Sequence, residues 1–100
     1  MSYLTSCQRV GVEAEKMTVR IVIAEDEAII RLDLRETLVE EGYEVVGEAT
    51  NGDEAITLIR QLRPDLAILD IKMPVCDGVE ATKIISAEKL CPVILVTAFS

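Results

Sequence analysis

Apolar runs suited to strands alternate along this chain with segments whose apolar residues recur every three or four positions. Val19 to Ala24 (VRIVIA) is rich in β-branched residues, as in a strand buried on both faces of a parallel sheet. Glu27 to Glu41 carries Ile30, Leu34 and Leu38 at helical spacing, and Gly42 supplies a left-handed stop just beyond. Tyr43 to Ala49 is a more polar strand, as expected toward a sheet edge. Asn51-Gly52 then turns the chain, and Asp53 is expected to cap a helix holding Ala55, Ile56, Ile59 and Leu62. Arg63-Pro64 ends that helix, because the residue before proline is pushed out of the helical region. Asp65 to Asp70 predicts a third strand, Val79 to Ala87 a third helix and Pro92 to Phe99 a fourth strand. Residues 1–18 show no sustained periodicity and read as an N-terminal tail.

Strand and helix alternate three times before the last strand, which predicts an α/β fold built from right-handed parallel βαβ units. In an open sheet of this kind the site lies beyond the carboxyl ends of the strands. That rule points to Glu25, Asp26, Asp70 and Thr97.

Composition narrows the function. Half of the 100 residues are apolar and 28% are charged, which suits one packed domain and excludes a two-domain enzyme. Eighteen acidic residues against ten basic ones leave a net charge of −8, so direct nucleic-acid contact by this chain is not expected. No apolar run is long enough for a membrane span and no signal-peptide pattern opens the chain, so a cytoplasmic location is expected. Cys7, Cys76 and Cys91 form no C-x-x-C pair, and the absence of histidine removes His-based zinc and nucleophile sites. Cys76 follows Asp70 in a loop that offers little to make it a thiolate.

The acidic residues carry the chemistry. The first strand runs into Glu25-Asp26-Glu27 and the third ends on Asp70, so neighbouring strands would bring these carboxylates to one rim. Such a cluster either raises its own pKa values or holds a cation, and a few hard oxygen ligands suit Mg2+. An aspartate at a buried strand end beside a cation is placed as a nucleophile toward a phosphoryl group, which is the role expected of Asp70. Thr97, ending the next strand, would bring a hydroxyl donor to the same phosphoryl oxygen. Glu27 reads instead as a helix-start residue, where negative charge is favoured.

The runs IVIAEDEAIIR, LAILDIKMPVCDG and VILVTAFS, in this order and spacing, resemble the leading signatures of the CheY-like response-regulator receiver domain over residues 19–100. The resemblance implies a flavodoxin-like doubly wound sheet of strand order 2-1-3-4. It implies that Asp70 accepts the phosphoryl group, that Glu25 and Asp26 serve Mg2+, that Lys72 offers the ion its main-chain carbonyl, and that Thr97 is the switch hydroxyl beside Ala98. Glu25 stands where aspartate is commoner in the family. A histidine kinase is the implied phosphodonor and an output domain outside this chain the implied effector; the domain is not an enzyme beyond its own phosphorylation and dephosphorylation. Among receivers, the wording from Glu25 to Ile56 followed by TAFS is most similar to those of ANTAR-type regulators, whose output is RNA-binding antitermination.

The resemblance also implies a later helix, strand and helix that the chain does not contain, so an incomplete receiver with an open sheet edge is expected, prone to pairing with a second copy. The alternative function is an interaction scaffold without a working switch. An aspartyl-phosphate phosphatase would need a second aspartate where this chain has Lys72. A flavin binder would need a phosphate loop where Glu25-Asp26-Glu27 would repel phosphate. Finally, Ile29, Leu32 and Val39 form a second apolar stripe on the first helix, suited either to packing or to docking a kinase helix.

Overall fold

A computed structural model describes residues 18–96. Four strands, β1 (Arg20–Ala24), β2 (Glu44–Ala49), β3 (Leu66–Asp70) and β4 (Val93–Val96), alternate with three helices, α1 (Ala28–Glu40), α2 (Gly52–Leu62) and α3 (Gly78–Ala87). All strand pairs are parallel and the order is β2-β1-β3-β4, the doubly wound arrangement expected from the alternation.

The period-2 alternation of the strands sorts their side chains onto two faces. Val22, Ala24, Ala67 and Leu69 meet Ala55, Ile56 and Ile59 of α2 and Ala81 and Ile85 of α3. Ile21, Ile23 and Ile68 point the other way, toward Leu34 and Leu38 of α1. Each isoleucine buried this way stabilises the fold by roughly 1.5–3 kcal/mol. Among the described residues two helices share one face and one helix, α1, lies on the other, and α1 has no fully buried residue. Leu34 and Leu38 of its predicted stripe pack on the sheet, whereas Ile30 stays exposed.

The helix ends refine the sequence reading. Gly42 adopts φ +97° after α1, as its place in the sequence predicts. Asn51, rather than Asp53, caps α2: its side chain accepts the amide of Glu54 at 2.9 Å, and Asp53 falls in the first turn. Both residues are good caps, and the winner is the one whose extended backbone (φ −154°) leaves the side chain facing the free amides. Arg63 closes α2 in the left-handed conformation ahead of Pro64. Glu27 is the N-cap of α1, but its side chain makes no capping bond.

Candidate functional site

β1 and β3 are neighbours, with Ala24 in register with Leu69, so the residues that follow them emerge side by side. Glu25, Asp26 and Asp70 each bring a carboxylate oxygen to within 4.8 Å of the others. Glu25 is 2% exposed and Asp70 5%, while Asp26 faces solvent. Asp26 also lines an open cleft of about 490 Å³ with Ile71, Lys72, Met73, Pro74 and Asp77.

Main-chain bonds hold this rim. The amide of Glu25 donates to Ala49 O at 3.0 Å, extending the β1–β2 pairing by one residue. Glu25 Oε2 accepts the amide of Glu27 at 3.0 Å, and Asp70 Oδ1 lies 3.4 Å from the amide of Lys72. The β3–α3 loop is fixed from behind. Gly78 N donates to Ile71 O, Gly52 N donates to Cys76 O, and Asp77 caps α3 by accepting the amide of Glu80 at 2.8 Å.

Three carboxylates this close repel one another. Glu25 is pushed up from 4.5 to about 7, chiefly by burial and further by Asp70 and Asp26, against the lowering effect of the Glu27 amide. The donors are hard, anionic and few, which fits Mg2+ better than a soft-ligand metal. Burial raises the Cys76 thiol, as do Asp53, Glu80 and Asp77, so this buried cysteine stays a thiol.

Glu25, Asp26 and Asp70 are therefore brought together, and Lys72 stands two residues on, beside the cleft. β3–β4 pairing sets Asp70 opposite Val96, and Ile71 N donates to Val96 O at 2.9 Å; Thr97 and Ala98 lie outside the described residues, as does Cys7. Sequence reasoning gave no role to Arg31, whose Nη1 donates to Glu25 O at 2.7 Å, nor to its partner Glu48. A bond to a main-chain oxygen leaves no residue-type signature at the accepting end. The exposed stripe of α1 does take shape, with Ile29, Leu32 and Val39 all open to solvent. Among the described residues no helix is long and apolar enough to cross a membrane.

Residues 21–100 match the family model described as the response regulator receiver domain. The chain is 53% identical over 81 residues to the transcriptional regulatory protein PdtaR of Mycobacterium tuberculosis, an alignment covering 81% of this chain and 40% of the relative. The chain thus spans less than half the length of that relative. Among solved structures, it is similar to the signal receiver domain of the response regulator NarL from Mycobacterium tuberculosis, with a TM-score of 0.78, 33% identity, and coverage of 83% of this chain and 68% of that one. A chain of the CheX-CheY-BeF3-Mg2+ complex from Borrelia burgdorferi gives a TM-score of 0.74 at 26% identity, covering 81% of this chain and 63% of its own length.

Proposed function

The chain belongs to the response regulator receiver domain family, and from that premise we propose that it accepts a phosphoryl group on Asp70 with Mg2+ held by Glu25, Asp26 and Asp70. The observation that carries this reading is the convergence of three carboxylates at the adjoining ends of β1 and β3, within 4.8 Å of one another. The presence of BeF3 and Mg2+ in the similar Borrelia complex supports it.

Mg2+ bound there would offset negative charge on the phosphoryl oxygens, with the main-chain oxygen of Lys72 completing the protein's share of its ligands. Asp70 is the nucleophile. Its carboxylate oxygen attacks phosphorus, forming the P–O bond of an acyl phosphate as the P–N bond of a phosphohistidine donor breaks. The electron pair returns to the imidazole, which leaves after taking up a proton. Thr97 would donate its hydroxyl to a phosphoryl oxygen. Residues 19–100 form the receiver and 1–18 its tail. A histidine kinase is the donor, and an output domain outside this chain reads the change. Likeness to PdtaR supports a transcriptional output of the antitermination type.

Intact mass after incubation with Mg2+ and acetyl phosphate tests this. A phosphoryl-sized gain that disappears on omission of Mg2+ and in Asp70→Asn is expected. A folded chain that gains nothing would overturn the reading and leave an interaction scaffold.

A further inference from the structure

Arg31 stands near the start of α1 with its side chain only 20% exposed. Its guanidinium does not reach into the acidic cluster. Nη1 donates to the main-chain oxygen of Glu25 at 2.7 Å, and Nε lies 3.4 Å from Glu48 Oε1 on β2. The other oxygen of Glu48 is taken by Arg35 Nε at 3.1 Å. Glu25 is thus held at three points: its amide by Ala49, its carboxylate by the amide of Glu27, and its carbonyl by Arg31.

The carbonyl matters because it shares a planar peptide with the nitrogen of Asp26. Fixing the oxygen fixes that plane, and with it the direction in which Asp26 leaves the strand. Asp26 is the exposed member of the cluster, so its backbone rather than burial sets where its carboxylate stands. A cation so near three carboxylates would otherwise be drawn to them. Glu48 on β2, shared with Arg35, offsets part of its charge, so the arginine can anchor the loop without occupying the place of an ion.

We propose that Arg31 is a positioning residue for metal binding: through the Glu25 carbonyl it sets the Glu25–Asp26 peptide in the orientation that offers Asp26 to Mg2+. The inference rests on the Mg2+ reading above. It makes a prediction opposite in sign to simple electrostatics, by which removing a positive charge beside an acidic site should tighten cation binding. A positioning role predicts weakening, because partners that orient ligands from outside typically contribute about tenfold or more to metal affinity.

The test is calorimetric titration of the 100-residue chain with Mg2+, for the parent, Arg31→Gln, Arg31→Lys and Asp26→Asn, with thermal unfolding of each in the absence of metal. Arg31→Gln is expected to bind about tenfold more weakly while still folded. Arg31→Lys is expected to recover part of the loss, since one ammonium can reach the Glu25 oxygen but cannot also serve Glu48 in the geometry of a guanidinium. Affinity in folded Arg31→Gln equal to or tighter than the parent's would overturn the inference and leave the function standing. Should Arg31→Gln fail to fold, parental affinity in Arg31→Lys would overturn it equally. A parent whose Mg2+ binding is absent, or is untouched by Asp26→Asn, would remove both the inference and the reading beneath it.

Discussion

Gly78 packs against the main-chain carbonyl of Asp70 so closely that a Cβ built on it would stand 2.3 Å from the oxygen. Its φ is not positive, so space rather than backbone freedom demands glycine. Both partners are backbone and neither can swing aside, so Gly78→Ala must push the start of α3 away from the end of β3. The expected cost is about 1–3 kcal/mol in urea unfolding, with slower labelling by acetyl phosphate because Asp70 moves. Gly42→Ala is the comparison: nothing lies within 4 Å of its Cβ, but φ is +97°, so it should lose stability without slowing the labelling. Equal labelling rates in the two variants would contradict this account of Gly78.

Glu25 makes metal-free stability fall with pH. Its pKa is 4.5 in the unfolded chain and about 7 in the fold, so between these values the folded state binds more protons than the unfolded one. Stability from this group is therefore full below about 4.5 and declines as pH rises through about 7. Thermal unfolding of parent and Glu25→Gln without Mg2+ should show the parent losing stability relative to the variant across that interval. If the cluster holds Mg2+ as proposed, the ion would displace the proton, and adding it should cancel the decline. Parallel pH profiles would show that burial and Asp70 do not raise the group in solution.

Much of this was legible in the residues, for physical reasons that differ by element. β1 and β3 announce themselves because strands covered on both faces must be apolar throughout, as Ile21 to Ala24 and Ala67 to Leu69 are. Once those strands are parallel neighbours, Glu25, Asp26 and Asp70 have to meet, since each follows or ends its strand at the same rim. Caps were harder. Asn51 and Asp53 are both competent, and only the backbone angles choose between them. Helical spacing puts Ile30 on one stripe with Leu34 and Leu38, but only the latter two reach the sheet, because Ile30 lies in the first turn, beyond the residues of β1 and β3 that they cover. Arg31 was invisible because its partner is a carbonyl, which every residue has.

The second stripe of α1, Ile29, Leu32 and Val39, is exposed. Neither the sheet nor another described helix buries it, which leaves the docking of a kinase helix as a reading to test. Leu32→Gln with Val39→Gln is expected to slow phosphotransfer from a cognate histidine kinase about tenfold, as loss of apolar anchors in an interface does. Labelling by acetyl phosphate should stay at the parental rate, because the acidic cluster is untouched. A kinase that transfers equally well to parent and variant would assign the stripe no docking role.

β4 pairs with β3 on one side, and among the described residues nothing pairs with its other side. Ile94 is 48% and Leu95 37% exposed, and alternation puts them on opposite faces, so the strand offers both unpaired backbone groups and apolar side chains. A strand in this condition is a template for another copy of itself. The 100-residue chain is expected to elute in size-exclusion chromatography with an apparent mass that rises with concentration. Ile94→Lys should shift the equilibrium toward monomer, because a charge on an edge strand must be desolvated if a second strand is to lie against it. An Asp70→Asn control should associate like the parent, since the edge lies on the side of β4 away from β3 and the acidic cluster at the adjoining ends of β1 and β3. A parent that stays monomeric across the dilution series would show that the exposed pair on β4 is too small to hold two copies together.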